Sequence, residues 1–552
     1  MKILLFQPPV QDFYDTDIRL QPIGLAYLKA AINKYHPDIT VEIKDFHHGR
    51  GRRTVKIPMA LSYLKEYYPY ADFSPFSTFH NYYHFGAPFE KIVEEVCLSN
   101  PDIIGISSLF SPYFLEVLNC AELIKKKLSV PIILGGNHVT CRPGDMLSNA
   151  NIDFVIRGEG ERAIVEFLSA FKEGGDFSKV PNLGYKRGGE LIFNPIIENF
   201  PIDELPFPDL SDFDLKKYSF AGQPSSFVLS SRGCPWHCSF CTVRNTFGHK
   251  YRKRSIENIL EEIRRGYSMG IRVFDFEDDS LGFDRAHFKK LCQRLRDEFP
   301  QKDVTFLAMN GIFYQHLDTE TLKLMRAAGF KQLNISLVSL DEQVQKNIRR
   351  TYTKEKYLAV LKMAYALGFK IVSYQILGLP GEGVESIING LAFVANLPVL
   401  IGPSIFYLTP GSPIAATFAE LSEGDIIKSR LTAMAIESTM ISRDEIYSLF
   451  ICARILNFFK GLNFSGDKVC LTEALESLNE KGGRSGVVPE IMTRLLHEKT
   501  LYAATKRGFL PLKKFKFAIF SRLFSKLGGI TTLQGKRIEI RKNYLQVEVN
   551  CN

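Results

Sequence analysis

Three cysteines within eight residues constrain this chain more than any other feature. Cys234, Cys238 and Cys241 are spaced C-x3-C-x2-C, directly after an apolar run that is typical of a strand leading into a loop. Thiolates this close together can converge on one soft metal centre, such as an iron–sulfur cluster or zinc. Three cysteines can hold a four-iron cluster and leave one iron free to bind another ligand. The spacing therefore favours an iron–sulfur cluster. A structural zinc site completed by His237 or His249 is the alternative.

Length and composition exclude several classes of protein. The chain has 552 residues, 45% of them apolar and 23% charged, which is ordinary for a globular protein of two or three domains. The other seven cysteines stand singly, so no disulfide-rich secreted module is indicated. No signal peptide precedes Gln7-Pro8-Pro9, and we expect the protein in the reducing cytoplasm. The long uncharged stretch 386–419 is interrupted by proline, glycine and asparagine, which favours a buried helix and a strand over a membrane span.

Residues 1–185 alternate strand and helix patterns five times. The apolar, β-rich runs begin at Ile3, Val41, Ile103, Ile132 and Phe154. This alternation predicts a flavodoxin-like (Rossmann-type) α/β domain, whose parallel sheet binds ligands beyond the carboxyl ends of its strands. Small hydroxyls and glycines follow those ends and let a ligand approach the backbone closely, although any such sheet needs glycine turns. These residues are Ser107, Ser108, Gly135, Gly136 and Gly158.

An insertion between the second and third strands, residues 50–89, is rich in tyrosine and phenylalanine. A loop of this length is seldom structureless inside a compact domain. Its aromatic side chains either cover a flat ligand or hydrophobic substrate, or form a small core of their own. Residues 186–222 contain prolines and acids without periodicity, which predicts a linker.

From residue 223 to 419 the chain repeats a strand–helix unit. The strand candidates are 227–230, 271–276, 304–308, 332–337, 371–377 and 404–408. Ser255 is placed to cap the first helix and Gly270 to end it. Six such units predict a partial (β/α)₆ barrel of the TIM type, with its site at the carboxyl ends of the strands.

The run Arg232-Gly233-Cys234-Pro235, with an aromatic residue before the last cysteine and a barrel after it, resembles the radical S-adenosylmethionine (SAM) superfamily. The resemblance implies a 4Fe-4S cluster on Cys234, Cys238 and Cys241. In that family the open iron chelates SAM, and an electron from the cluster cleaves SAM to a 5′-deoxyadenosyl radical. A protein electron donor such as flavodoxin or ferredoxin is implied as a partner.

The resemblance also implies contacts to SAM at the strand ends. The acidic turn after the second strand is placed to bind the amino group by charge-assisted hydrogen bonds, and the glycine turn after the fifth strand lies beside the adenine. Arg349 or Arg350 is placed to hold the carboxylate, although the fourth strand lacks the terminal glutamate of many relatives. A solvated surface turn is the alternative for the acids. The residues assigned to SAM are Phe240, Asp278, Asp279, Arg350, Gly378, Pro380 and Gly381.

The α/β domain placed before this motif resembles the cobalamin-binding domain that begins many members of the superfamily. The resemblance implies that the nucleotide tail of cobalamin threads between the sheet and the turns at Ser107, Ser108, Gly135, Gly136 and Gly158. In many methionine-synthase-like cobalamin domains, the histidine of a D-x-H-x-x-G motif after the first strand ligates the cobalt. Here the first strand runs into Gln7-Pro8-Pro9-Val10, so we expect no histidine on the lower face of the cobalt. His47 and His48 are interpreted as loop residues.

Residues 420–552 are predicted to be mainly helical and carry no recognisable catalytic motif. The end of the chain is basic, with twelve Lys or Arg residues against one acid between residues 499 and 542. Within it, residues 511–527 form an amphipathic pattern that either docks on the protein or makes a peripheral membrane contact. No nucleic-acid-binding module accompanies the charge, so no nucleic-acid partner is expected.

These features predict a cobalamin-dependent radical SAM enzyme that methylates an unactivated carbon of a small molecule. The aromatic insertion is compatible with a hydrophobic or lipid-like substrate. Radical cyclisation, rearrangement or another oxidation without methyl transfer is the alternative. Methylthio transfer fits less well, because the first domain lacks the cysteines of a second cluster. A non-catalytic cobalamin or metal sensor fits less well still, because it would not need the open iron that three cysteines leave on a cluster.

Overall fold

The computed structural model describes residues 1–16, 21–478 and 482–540, and within them the chain begins with an α/β domain. Its elements are β1 (Lys2–Gln7), β2 (Val10–Asp12), α1 (Ile23–Tyr35), β3 (Thr40–Asp45), β4 (Arg52–Thr54), β5 (Tyr83–Phe85), α2 (Phe89–Ser99), β6 (Ile103–Ser107), α3 (Phe114–Lys125), β7 (Ile132–Gly135), α4 (Asn137–Cys141), α5 (Pro143–Ser148), β8 (Phe154–Ile156), α6 (Glu161–Lys172), β9 (Leu183–Arg187) and β10 (Glu190–Phe193).

The main sheet of this domain has the order β10-β9-β8-β7-β6-β1-β3, and the five strands from β8 to β3 are parallel. This is the flavodoxin-like order, and it confirms all five predicted strands. The hairpin β9–β10 extends the sheet into the stretch predicted as a linker. Gly188 and Gly189 both have positive φ, so they turn the chain back and residues 190–193 pair with β9.

A partial barrel follows the α/β domain. Its elements are β11 (Ser219–Phe220), β12 (Gln223–Val228), β13 (Ser231–Arg232), α7 (Val243–Phe247), β14 (Arg252–Lys253), α8 (Ile256–Ser268), β15 (Val273–Phe276), α9 (Arg285–Glu298), β16 (Thr305–Leu307), α10 (Thr319–Ala328), β17 (Gln332–Val338), α11 (Glu342–Asn347), α12 (Lys354–Ala366), β18 (Lys370–Leu377), α13 (Val384–Ala395) and β19 (Leu400–Ile405).

Six of these strands are parallel and correspond to the six predicted ones. β12, β15 and β16 form one arc and β17, β18 and β19 the other, and a parallel bridge between Phe306 and Phe330 connects the arcs. The first and last strands each begin about four residues before the predicted position. Ser255 caps α8 as predicted, because its side chain accepts a hydrogen bond from the backbone of Asn258.

The remaining residues pack against the barrel and the α/β domain. Their elements are α14 (Glu423–Ile427), α15 (Arg443–Lys460), β20 (Lys468–Cys470), α16 (Leu471–Glu476), α17 (Gly483–Gly486), α18 (Val488–His497), β21 (Tyr502–Thr505), β22 (Gly508–Pro511), α19 (Phe517–Lys526), β23 (Gly529–Thr531) and β24 (Arg537–Glu539). The helices were predicted, whereas the five short strands were not.

The amphipathic segment 511–527 docks on the protein. Ile519, Phe520, Leu523 and Phe524 of α19 are buried, and the helix packs on α13 and α15. Arg522 and Lys526 form ion pairs with Glu385 of α13. The apolar side chains that would enter a bilayer are therefore already covered, and residues 541–552 lie outside the described part of the chain. Within the described ranges, no helix combines the length and apolar character needed to cross a bilayer.

The aromatic insertion packs on α15, which neither interpretation of the sequence anticipated. The hydroxyl of Tyr67 donates to Asp444 at 2.6 Å, and the ring of Phe76 lies edge-on to that of Phe458 at 5.6 Å between centroids. Phe79 stacks with Phe450 at 6.4 Å. The insertion therefore fastens the C-terminal region to the α/β domain.

Candidate active site

The three cysteines lie on the loop 233–242, between β13 and α7. This loop, called the cysteine loop below, begins at Gly233, whose φ is +85°. A Cβ atom there would lie 2.3 Å from the carbonyl oxygen of Lys250, so only glycine fits. The backbone N–H of Ser239 donates to Ile348 at 3.0 Å, and its carbonyl accepts from Ile414 at 2.8 Å. The loop is thus held between α11 and the segment after β19.

Burial raises the pKa of the Cys234 thiol and raises that of Cys241 to about 11. Such thiols release their protons when they bind a metal, because the charge of the metal stabilises the thiolate. Among the described residues, no set of three or more His, Cys, Asp or Glu side chains is arranged to hold a single metal ion. His237 and His249 instead contact the guanidinium of Arg244. The two histidines are thus engaged with Arg244, and a 4Fe-4S cluster on the three cysteines needs no fourth protein ligand.

The two aspartates of the acidic turn after β15 have different environments. The buried carboxylate of Asp278 accepts hydrogen bonds from the backbone N–H of Ser230 at 3.0 Å and its hydroxyl at 2.7 Å, and from the hydroxyl of Ser231. Asp279 accepts from the backbone of Gly233, and burial, with the neighbouring Asp278, raises its pKa to about 7. Asp278 thus fixes the end of β12, and Asp279 is the one beside the cysteine loop.

The other residues assigned to SAM surround the same loop. Gly378 and Gly381 have φ of +81° and +82°, so the turn after β18 uses conformations that favour glycine. Leu379, between Gly378 and Pro380, shares a small apolar cluster with Phe240. Nη1 of Arg350 lies 3.9 Å from Sγ of Cys238. The structure therefore brings the barrel residues predicted for SAM to one place.

A cavity of about 300 Å³ lies at the carboxyl ends of β1, β6 and β7, beside the beginnings of α1 and α6. Four of the five residues predicted for cobalamin line it: Ser107, Gly135, Gly136 and Gly158. Its walls also include Tyr27, Glu159, Glu161, Arg232 and Phe247, so the barrel closes one side.

The turns around this cavity fit a closely approaching ligand. Gly136 has φ of +116°, and a Cβ atom there would lie 2.5 Å from the carbonyl oxygen of Ser108. At Gly135 the nearest atom to such a Cβ would be 4.0 Å away, so a ligand can reach the backbone. Ser108 is buried, and within the described chain its hydroxyl has no hydrogen-bond partner. An unsatisfied hydroxyl beside a glycine cradle suits a bound polar tail.

A second cavity of about 460 Å³, called the chamber below, lies between the α/β domain and the barrel. Leu109 and Phe110 enter it from the end of β6, and Phe240 and Cys241 enter it from the cysteine loop. Leu109 lines both cavities. The chamber is therefore lined by both the cysteine loop and the end of β6, and it adjoins the 300 Å³ cavity at Leu109.

Several residues of the chamber were missed from the sequence. They are Tyr14, Phe110, Tyr113, Tyr407 and Arg430. Phe110 directly follows a strand-end turn, so its position could have been inferred from the rule that ligands bind there. Arg430 carries no local sequence signal, because its partners lie in distant parts of the chain.

No histidine is among the residues that line these two cavities in the described part of the chain. His48 stacks on Tyr218 and contacts the carbonyl of Lys217, outside both. His138 is buried after β7 with its ring nitrogen 3.0 Å from the hydroxyl of Ser111, and burial lowers its pKa to about 4.

A flavodoxin-like domain with a glycine-lined cavity, set against a partial barrel with a three-cysteine loop, defines a cobalamin-dependent radical SAM enzyme. Residues 228–394 match the family model of the Radical SAM superfamily, and residues 54–168 match that of the B12 binding domain. The chain belongs to the radical SAM superfamily, and its cofactors are a 4Fe-4S cluster, SAM and cobalamin.

Proteins similar to this chain include named methyltransferases. An uncharacterized methyltransferase, PH0819 of Pyrococcus horikoshii, is 26% identical over 72% of this chain and 79% of its own length. The cytidylyl-2-hydroxyethylphosphonate methyltransferase of Streptomyces wedmorensis is 25% identical over 70% of this chain and 75% of its own. The fold is similar to that of the radical SAM methyltransferase TsrM of Kitasatospora setae with cobalamin and cluster bound, with a TM-score of 0.58, 16% identity, and coverage of 76% of this chain and 78% of TsrM.

Proposed function

We propose that this protein methylates an unactivated carbon of a small molecule that binds in the chamber. The observation that carries the proposal is that the cysteine loop and the strand ends of the cobalamin-binding domain open into the same chamber. A carbon placed there lies between the predicted SAM and cobalamin sites. The methyltransferases among the similar proteins support the same reaction.

The residues that would hold the cofactors are those already described. Cys234, Cys238 and Cys241 would bind the cluster. Asp279 and Arg350, with Phe240 and the turn Gly378-Leu379-Pro380-Gly381, would orient SAM, while Asp278 has less support because its carboxylate is committed to Ser230 and Ser231. Ser107, Ser108, Gly135, Gly136 and Gly158 would hold the cobalamin tail. When bound, the cluster with SAM supplies a carbon radical, and cobalamin supplies the methyl group.

The chamber walls determine which substrates fit. Leu109, Phe110 and Phe406 present apolar surface, and hydroxyls such as those of Thr409 and Tyr407 add neutral polar groups. Arg430 is the one cation among these lining residues, and it is already paired with Asp12. An anionic substrate would therefore lose its hydration without gaining a free partner. The lining favours a neutral, largely apolar substrate, which includes lipid-like molecules.

The reaction needs a partner that delivers single electrons, and we propose a flavodoxin or ferredoxin in the cytoplasm. A peripheral membrane contact through residues 511–527 has weaker support, because most of the apolar side chains of this segment are buried and its exposed side chains are mainly basic. Those side chains are themselves engaged in part, since Arg522 and Lys526 pair with Glu385.

Radical cyclisation without methyl transfer is a second candidate. The anaerobic magnesium-protoporphyrin IX monomethyl ester cyclase of Synechocystis is 27% identical over 47% of this chain. The two reactions differ in the fate of the SAM methyl group. With SAM labelled at that methyl, a methyltransferase forms a labelled product and S-adenosylhomocysteine in addition to 5′-deoxyadenosine, whereas a cyclase forms 5′-deoxyadenosine and leaves the label in methionine.

The direct test is anaerobic reconstitution of the full chain, with iron, bound cobalamin and SAM cleavage measured. We expect cluster-dependent 5′-deoxyadenosine and cobalamin-dependent methyl transfer. Replacing Cys234, Cys238 and Cys241 together by Ala should remove the iron. Cys141→Ala is the matched control, because Cys141 is a half-buried free thiol near α7 that is not on the loop. Iron retained in the triple variant, or no deoxyadenosine from the reconstituted protein, would refute the proposal.

A further inference from the structure

Arg232 connects the cysteine loop to the cobalamin-binding domain. Its guanidinium donates to Oε1 of Glu159 and to Oε1 of Glu161, both at 2.7 Å. The three side chains are only 5%, 7% and 6% exposed, so the contact lies inside the protein. Glu159 belongs to the turn after β8 and Glu161 begins α6, whereas Arg232 lies two residues before Cys234. The ion pairs therefore span the boundary between the two predicted cofactor domains.

A second arginine balances the charge of this cluster. Arg252 donates to Oε2 of Glu159 at 2.6 Å, and it pairs with Arg232 across the β13–β14 ribbon. The Arg232 guanidinium also lies over the rings of Tyr27 and Phe247, at 5.1 and 5.7 Å from their centroids. Two cations face two anions, and aromatic rings shield them from water. Such a pair has a narrow range of favourable geometries, because a displaced guanidinium leaves a buried carboxylate uncompensated.

Both ends of the contact touch a predicted cofactor site. Glu159, Glu161 and Arg232 line the 300 Å³ cavity, so a ligand that fills it packs against the ion pairs. Gly233 connects Arg232 directly to Cys234, and its backbone packs so closely on the carbonyl of Lys250 that a Cβ atom there would lie 2.3 Å from the oxygen. The arrangement is a continuous path of packed groups from the cavity to the first cysteine.

We propose that Arg232 is a positioning residue that couples occupation of the cobalamin cavity to the conformation of the cysteine loop. This inference rests on the proposed function, since it takes cobalamin as the ligand of the cavity. A ligand that excludes water from the cavity strengthens the ion pairs and holds the loop in one conformation. By linkage, a cluster on the loop raises the affinity of the cavity for cobalamin by the same factor.

The test uses the full chain and hydroxocobalamin as the probe. Its dissociation constant is measured by visible absorbance in cluster-free and reconstituted protein, for wild type, Arg232→Lys and Glu159→Gln. We expect cluster-loaded wild type to bind about five-fold or more tightly than cluster-free protein, and this ratio to approach one in both variants. Lysine keeps the charge but reaches only one glutamate, and Glu159→Gln keeps the shape, so either variant serves if the other misfolds.

Hydrogen–deuterium exchange of residues 230–242 in cluster-free protein gives an independent readout. Hydroxocobalamin should slow exchange there in wild type and not in the variants, whereas a purely structural role would raise exchange equally with and without it. Lys29→Gln is the control, because Lys29 is a buried cation of α1 that binds Ser211 and Asp212 away from the cavity. Its coupling ratio should match wild type.

The outcomes separate this inference from the proposed function. Tight hydroxocobalamin binding with an equal ratio in wild type and both variants would overturn the coupling alone. A wild-type ratio of one would do the same. No binding to wild type would overturn the cobalamin assignment and the coupling with it.

Discussion

The guanidinium of Arg430 and the carboxylate of Asp12 form an ion pair inside the protein, with Nη1 3.1 Å from Oδ2. Arg430 follows α14 in the C-terminal region, and Asp12 ends β2 in the α/β domain. Arg430 also donates to the backbone carbonyls of Gln11 and Pro112, each at 2.7 Å. Arg430 and Pro112 both line the chamber, so the contacts of Arg430 hold the C-terminal wall of the chamber against the wall formed by the α/β domain.

Loss of Arg430 should destabilise the protein strongly. Arg430→Met removes the cation and leaves Asp12 charged and buried, which typically costs about 3–5 kcal/mol. The measurement is the midpoint of urea unfolding. Arg443→Met is the control, since Arg443 pairs with the half-exposed Glu437 and should cost about 1 kcal/mol or less. Equal shifts in the two variants would contradict a special role for the buried pair.

Glu116 should make stability depend on pH. Burial raises its pKa from the ordinary 4.5 to about 7, and Arg430 offsets this only in part. The folded protein therefore keeps a proton that the unfolded chain has released. Protonated Glu116 therefore adds up to about 3 kcal/mol to the free energy of unfolding. This stabilisation is fully present below pH 4.5 and is lost as the pH rises to about 7.

Glu116→Gln should consequently be more stable than wild type at pH 8 and gain little at pH 4.5. Urea midpoints of both proteins at the two pH values measure the difference. Glu122→Gln lies on the same helix, where Glu122 is exposed and pairs with Lys126, and it serves as the control. A gain that is the same at both pH values would show that folding does not raise the pKa of Glu116.

Gly136→Ala should weaken cobalamin binding by about ten-fold or more. The new Cβ would lie 2.5 Å from the Ser108 carbonyl, and alanine is strained at a φ of +116°. Both effects displace the turn that lines the cavity. Gly144→Ala is the control, because no atom lies within 4 Å of a Cβ there. Hydroxocobalamin binding to the two variants measures the effect, and equal affinities would argue against a ligand at this turn.

Much of the fold follows from local patterns, whereas the contacts between regions do not. The five parallel strands of the first sheet and the six of the barrel each coincide with an apolar run, because strand burial is written into neighbouring residues. The partners of the aromatic insertion lie on α15, and Arg430 is 418 residues from Asp12. No periodicity records such pairs, so the sequence indicated the cysteine loop and the cobalamin turns but not the chamber wall opposite them.

Asp278 and Asp279 are neighbours that the sequence assigned equally to SAM, although the structure gives them different partners. Substituting each in turn tests whether their roles differ. Asp279→Asn should weaken SAM binding by about ten-fold or more while iron content stays unchanged, because a neutral amide oxygen lacks the negative charge that attracts an ammonium. Asp278→Asn should instead loosen the end of β12 and reduce iron content, since its amide cannot accept all the hydrogen bonds that Ser230 and Ser231 donate. Iron analysis and calorimetric titration of SAM into reconstituted protein separate these effects. If Asp278→Asn keeps its iron and loses SAM binding while Asp279→Asn binds normally, the two roles are reversed.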